Sequence, residues 1–322
     1  MINLTEKDIT KNWQTHQSKP TVSICTITYN HEAFIEEALD SFLMQETDFA
    51  FEIVVDDDFS SDGTIDILQS YATKFPNLIK LNLRKNNVGS MLNFIENLQR
   101  ANAQYIAICE GDDYWTDKHK LQLQYNAMQE NSQVALSFHS ATELIDGVKG
   151  KILADYKKNQ IFQTSKLILK DGGFCPTASL MIKKKFVEKI PIWFYDAPVG
   201  DYFLQVLASM DGGALYIDKN MCIYRKNSSN LSWSAEQKKD IKRVEFFRKM
   251  LHSLIDMDKY LQHQYKKEIA FAQQRYINKL LKKTSLPLAL RKDIYNEYSD
   301  SLSIRYKIKW YVRYYKGVLS LK

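Results

Sequence analysis

Three short apolar runs constrain this chain more than anything else in it: VSICTIT at 22–28, FEIVV at 51–55 and YIAIC at 105–109. They are rich in β-branched and aromatic residues and too short for helices. They lack the alternation of a half-solvated strand, so they read as strands buried on both faces. Between them, Phe34, Ile35, Ala38, Leu39, Phe42 and Leu43 recur at helical spacing. Ser61-Asp62-Gly63-Thr64 turns the chain into a helix from about Ile65, with Thr64 or Asp62 as N-cap. A strand at 79–83, a helix over 91–101 and a helix over 121–130 follow. Strands alternating with helices through short turns predict an α/β fold, its sheet mostly parallel with helices on both faces. The alternation fades from about Ile152, leaving strands at 134–139, 178–182 and 214–216 and a helix over 201–210. Beyond Ser234 the pattern is helical and strongly charged. The expected division is a polar lead (1–19), an α/β domain (20–233) and a helical, basic-aromatic extension (234–322).

Composition sets wide bounds. Of 322 residues, 45% are hydrophobic and 25% charged, which excludes disorder as the default. The net charge of +6 decides little by itself, but Lys and Arg concentrate toward the C-terminus. Cys25, Cys109, Cys175 and Cys222 are widely separated and form no CxxC pair, which fits a reducing compartment. The polar N-terminus lacks the apolar core of a signal peptide, and no run of roughly 18 apolar residues could span a membrane. A cytoplasmic location is expected, with contact at the inner face of the plasma membrane if the tail docks there.

Two of the apolar runs end in consecutive aspartates, Asp57-Asp58 after Asp56, and Asp112-Asp113. Ligands of open α/β sheets bind at the carboxyl ends of strands. Two acidic tips side by side repel unless cations or donors lie between them. A divalent cation bridging a diphosphate would supply that charge, since hard cations take one or two carboxylates and complete their shell with phosphate and water. Aspartates also end strands simply as turn formers, which is the plainer reading of either pair alone. No GxxxxGK[ST] loop and no GxGxxG follows a strand, which weighs against kinases, ATPases and dinucleotide dehydrogenases.

The series VSICTITYNHEAFIEEALDSFLMQ, EIVVDDDFSSDGT, NNVG and YIAICEGDDYW resembles family 2 inverting glycosyltransferases of the GT-A fold, in order and spacing over residues 20–130. Weaker likeness runs to about 233, and the final third is largely uncovered. The resemblance implies a catalytic domain over 20–233, a nucleotide-sugar donor, with a UDP-sugar expected, and Mn2+ or Mg2+. By position it implies that Thr26 and Tyr29 lie by the nucleotide, that Asp58, with Asp57 beside it, bonds uracil or ribose, and that Asp112 faces ribose or sugar. Asp113 would hold the metal on the diphosphate, and Arg225 would join the donor site. Asp201, opening a helix after Gly200, matches the base that takes the acceptor proton; the ordinary alternative is a helix N-cap. The implied role is assembly of surface polysaccharide, lipopolysaccharide or another glycan, on a saccharide or lipid-linked acceptor. Two departures stand out. Asn227 sits where relatives often carry His in YRxH, leaving Asn227, Arg225 or Lys226 to replace it, and Asp56 replaces a small residue.

Other residues admit two readings. Trp115 stacks on an acceptor sugar or packs beneath its loop. The turn-rich 171–177 segment, with Thr177, lies on the acceptor side or merely connects. His31 lies near the donor or on a surface turn, and Cys175 has no activating His. The tail SIRYKIKWYVRYYKGVLSLK holds Arg305, Lys307, Lys309, Arg313, Lys316 and Lys322 among five aromatics and no acid. It either docks at a membrane interface or packs its rings on the protein. Nucleic-acid binding ranks below both, and no such partner is expected. The rival functions are a sugar nucleotidyltransferase, for which 22–30 lacks a Gly-rich basic loop, and a non-catalytic sugar-nucleotide or glycan-binding module on a transferase scaffold.

Overall fold

The structure, a computed structural model, describes residues 1–14, 19–170, 172–226, 240–283 and 285–319. Its chain divides into two compact units. One comprises Met1–Leu167, Gly172–Tyr195 and Val199–Ser228; the other comprises Ile168–Asp171, Asp196–Pro198 and Ser229–Lys322.

In the first unit the expected α/β order appears. The elements are α1 (Glu6–Thr10), β1 (Val22–Thr28), α2 (Ile35–Leu43), β2 (Phe51–Asp57), α3 (Thr64–Lys74), β3 (Ile79–Leu83), α4 (Ser90–Arg100) and β4 (Tyr105–Ile108). There follow β5 (Tyr114–Trp115), α5 (Lys120–Glu130), β6 (Leu136–Ile145), β7 (Val148–Leu153), β8 (Gln160–Phe162), α6 (Thr164–Leu169), β9 (Met181–Lys183), α7 (Gly200–Ser209) and β10 (Ala214–Lys226). Val22, Ile24, Ile53, Val55, Tyr105 and Ala107 join residues of α2, α3 and α5 in one apolar cluster. The alternate residue Cys25 faces the other way, its thiol 3.9 Å from the Asn97 carbonyl of α4. Period-two alternation thus sends successive side chains of a doubly covered strand into two cores. The polar lead contributes too: α1 carries a capping box between Thr5 and Asp8, and Trp13 meets Phe51 edge-on at 5.2 Å.

The ten-stranded sheet runs β3-β2-β1-β4-β9-β6-β10-β5, with β7 on β6 and β8 on β10. Its parallel part is narrower than expected. β3, β2, β1 and β4 are parallel, as are β6 and β10, while β9, β7, β8 and β5 pair antiparallel. These short strands arrive through hairpins and loops, without the crossover helix that parallel pairing needs. β10 is far longer than expected because it bulges at 217–222, where Asp218, Lys219 and Asn220 interrupt the apolar pattern. β1 lies between β2 and β4 at the point where strand order reverses, so the tips of all three face one crevice.

The second unit carries four long helices, α8 (Asp240–Tyr260), α9 (Lys266–Lys282), α10 (Leu288–Tyr298) and α11 (Ile304–Leu319). Phe247 of α8 meets Tyr276 of α9 at 5.5 Å, and Trp310 of α11 stacks on Tyr295 of α10 at 5.4 Å. Among the described residues no helix is long and apolar enough to cross a membrane.

Candidate active site

The tip of β2 is closed by its own surroundings. Asp56 is fully buried and accepts from Asn82 Nδ2 at 2.7 Å, Asn97 Nδ2 at 2.9 Å and the Arg100 guanidinium, with Arg84 3.7 Å away. Asp57, also fully buried, accepts from the Ser60 amide at 2.9 Å and from its hydroxyl. Burial pushes its carboxyl up from the usual range, against those hydrogen bonds. Asp58 accepts the amides of Val88 at 2.8 Å and Gly89 at 3.0 Å. Gly89 has φ +87, so the NNVG turn can bend its N–H toward this carboxylate at no steric cost. Asp57 and Asp58, expected to touch the nucleotide, also hold the loops that frame the crevice, with lone pairs left on their oxygens.

The tip of β4 is organised differently. Residues 109–111 run close beside β1: the Gly111 amide donates to Ile27 O at 3.0 Å, and a Cβ there would lie 3.0 Å from both Thr28 and His31. A side chain there would force both neighbours to give by a few tenths of an ångström. Asp113 is buried, accepts the Arg225 amide at 2.7 Å through Oδ1, and leaves Oδ2 with no protein partner. Burial raises its pKa well above the usual carboxylate range, and Asp112 and Glu110 push the same way. Glu110 is pushed up to about 8 by burial, then by Asp112 and Asp201. Asp112 is half-buried.

Arg225, expected in the donor site, is engaged with this loop. Its guanidinium donates to Asp112 O and to Glu37, and lies between the rings of Phe34 (5.0 Å) and Tyr114 (4.6 Å). The antiparallel register of β10 on β5, Ile223 opposite Tyr114, carries it there. Trp115, left open between an acceptor platform and a packing role, takes the second: it is buried, its indole donates to Ala178 O at 2.8 Å, and Phe42 lies 4.9 Å away. A sugar cannot reach a ring enclosed in this way.

Asp201 lies in the first turn of α7, whose N-cap is Val199, so it is not the cap residue. Its Oδ1 accepts the Tyr202 amide at 2.7 Å and its Oδ2 accepts Thr177 Oγ1 at 2.9 Å. Burial raises its pKa, against the lowering by Thr177. The structure thus brings Thr177, a residue of the 171–177 loop, onto Asp201. Asp201 and the β4 tip converge on Tyr224. Burial raises the phenol's pKa far above its usual value, and Glu110, Asp113, Asp112 and Asp201 raise it further.

Of the remaining expected residues, Thr26 is buried with Oγ1 unpartnered, and Tyr29 is 38% exposed. Lys226 is paired with Glu143. His31 packs against Gly111, inside the crevice and not on an outer turn. Cys175 is a buried thiol raised by burial. Asp171 and Asn227 lie outside the described residues. Three positions escaped the sequence reading. Glu110 carried a signal, being a third acid in EGDD. Phe59 sits at φ +66 and is 52% exposed beside Asp58, an unfavourable backbone state for a bulky residue. Tyr224 carried a signal as the first residue of the YRxH-like stretch, but not of its place near the acids.

Among the described residues no group of three or more His, Cys, Asp and Glu side chains could hold a metal alone. The β4 tip nevertheless suits a hard cation. It offers an unpartnered buried carboxylate oxygen and acids that repel one another, and such a cation needs only one or two protein ligands beside phosphate.

The family model for glycosyl transferase family 2 matches residues 23–190, just over half of the chain. An uncharacterized protein of Mycobacterium tuberculosis is 32% identical over 216 residues, 66% of this chain and 61% of that protein, so the chain spans about three fifths of that relative's length. The dTDP-rhamnosyl transferase RfbG of Shigella flexneri is 27% identical over 239 residues, 69% of this chain and 80% of its own. In fold, TarS of S. aureus (residues 1–349, in complex with UDP) is similar with a TM-score of 0.59 at 16% identity, covering 90% of this chain and 78% of that one. The family match covers the same strands and tips that build the crevice, and the chain belongs to glycosyl transferase family 2.

Proposed function

We propose that this protein is an inverting, metal-dependent glycosyltransferase that moves a sugar from a nucleoside diphosphate, with UDP the first donor to test, onto a saccharide or lipid-linked acceptor in surface-glycan assembly. The observation that carries this reading is the buried Asp113 carboxylate at the β4 tip, held through Oδ1 by the Arg225 amide with Oδ2 unpartnered, within a crevice at the strand-order reversal. Mn2+ or Mg2+, held by Asp113 with Asp112 and completed by phosphate oxygens and water, would offset charge on the departing diphosphate. The protein's own residues do the rest. Arg225 fixes the acidic loop by its amide and guanidinium. Thr177 orients the Asp201 carboxylate and leaves its other lone pairs for an acceptor hydroxyl. Asp201 takes that hydroxyl's proton as the oxygen attacks C1, and the bond from C1 to the diphosphate breaks on the opposite face, inverting the centre. Tyr29 offers an exposed ring to the base, near which the buried Thr26 would lie. The RfbG likeness in sequence and the TarS likeness in fold accord with sugar transfer from a nucleotide.

The test is a thermal-shift titration with UDP, GDP, dTDP and CDP, each with and without Mn2+, followed by a sugar screen on Asp201→Asn. Binding to the native state raises the melting temperature by mass action. The expected result is a metal-dependent shift with one nucleotide, retained in Asp201→Asn, whose turnover falls about 10²–10⁴-fold. Unchanged turnover in that variant removes Asp201 from the chemistry.

A further inference from the structure

Helix α11 divides its apolar residues between two faces. Trp310 is 3% exposed, stacked on Tyr295 with ring planes 19° apart, and Tyr314 packs on Trp310 at 5.6 Å. That face belongs to the helix's own unit, and Tyr311, edge-on to Tyr295 at 5.6 Å, stands at its border with half of its surface exposed. Ile304, Ile308, Tyr311, Val312 and Tyr315 are 77, 59, 51, 51 and 61% exposed. Their spacing of i, i+4, i+7, i+8 and i+11 gathers them into one stripe, an arc of roughly 100° at 3.6 residues per turn. Scattered surface apolar residues need no explanation, but a continuous stripe about three turns long does.

The charges beside the stripe say what covers it. On the helical wheel Arg305 and Lys309 border one edge and Lys307 the other, with Arg313 beyond Lys309. The helix sequence, IRYKIKWYVRYYKGVL, contains no acid. Among the described residues none of these four cations has a carboxylate within ion-pair distance, whereas Arg248, Lys259 and Lys226 do. A stripe of Ile, Val and Tyr flanked by unpaired cations suits a surface that is apolar below and anionic at its rim. The interface of a bilayer containing anionic lipid has that layering, with tyrosine rings at headgroup depth.

We propose that the outer face of α11 is a docking surface for anionic membranes, lying in the interface with Ile304, Ile308, Tyr311, Val312 and Tyr315 toward the acyl chains. The site chemistry does not enter this argument, and the proposal stands or falls apart from the transferase reading.

The experiment is co-sedimentation of the full chain with vesicles of phosphatidylcholine alone or with 30 mol% phosphatidylglycerol (about a third), at low and high salt. The expected result is at least tenfold stronger partitioning onto the anionic vesicles, weakened by salt. The variant I308E/V312E and the separate variant R305E/K309E each lose it at least tenfold. These side chains are exposed or at the helix border, so melting temperature and circular dichroism are expected to match the parent. Asp201→Asn binds vesicles like the parent. Equal partitioning onto both vesicle types, no partitioning at all, or variants that bind as the parent does overturn the proposal. So does a concentration-dependent dimer that I308E/V312E converts to monomer without any lipid binding, which gives the stripe to a second copy of the chain.

Discussion

The tips of β2 and β4 look alike in sequence, each an apolar strand running into consecutive acids, yet they do opposite things. At β2, every carboxylate meets donors: Asn82, Asn97, Arg84 and Arg100 around Asp56, Ser60 on Asp57, Val88 and Gly89 on Asp58. At β4, Glu110, Asp112 and Asp113 act on one another, Asp201 acts on Glu110 as well, and among the described residues Arg225 opposes them at Asp113. A carboxylate met by donors at its own tip holds the loop around it in place. Acids raised first by burial and then by one another, as Glu110 and Asp113 are, favour a positive charge beside them, which is a common mark of a functional site. What sets the β4 tip apart is one buried carboxylate oxygen, Asp113 Oδ2, without a protein partner, a property of the tertiary surroundings.

The largest effects separate the two tips by kind. Asp56→Ala leaves Arg100 and Arg84 without their buried counter-charge and is expected to cost about 3–5 kcal/mol of stability, read by urea unfolding. Asp112→Ala should leave the unfolding midpoint within about 0.5 kcal/mol of the parent while removing the Mn2+-dependent nucleotide shift. If Asp112→Ala unfolds the protein and Asp56→Ala does not, the comparison is reversed.

A middle-sized effect is a pH slope. Burial first, then Asp112 and Asp201, raise Glu110 from the ordinary carboxylate range to about 8, so between about pH 4.5 and 8 the folded state binds more protons than the unfolded chain. Stability therefore falls as pH rises through that window, by at most ~1.4 kcal/mol per unit for one group. Glu110→Gln should flatten the slope, and Mn2+ should raise the melting temperature more at pH 8 than at pH 5.5. A slope that survives Glu110→Gln unchanged assigns it elsewhere.

The smallest concerns Phe59 at the β2 tip. An L-residue in the left-handed region costs roughly 1–2 kcal/mol, and glycine returns part of that as chain entropy. Phe59→Gly is expected to stabilise the protein by about 0.5–1 kcal/mol. A weaker nucleotide shift in that variant would give the exposed ring a part in donor binding; an unchanged one would leave only the strain.

Much of this was legible in the chain itself. Apolar runs such as 22–28 and 105–109 determine buried strands, because a short segment without polar alternation satisfies its backbone and its side chains together only in a doubly covered sheet. The helical spacing of 34–43 and the turn residues at 61–64 follow from equally local rules, and so do the four motifs that carry the family resemblance. The sheet's second half was hidden. Asp146-Gly147, with φ of +49 and +79, marks the β6–β7 hairpin locally, but the bulged course of β10 and its antiparallel pairing with β5 depend on strands a hundred residues away. That pairing decides the site: it swings Arg225 onto Asp113 and Tyr224 among four acids, and it encloses Trp115. The same division holds in α11, where the sequence determined a basic, aromatic helix and packing against Tyr295 selected which rings are covered. Local propensity and hydrophobic pattern act over a few residues and can be read in order. Burial, charge balance and the direction of a carboxylate's free lone pair are sums over neighbours distant in sequence, and only the folded chain assembles them.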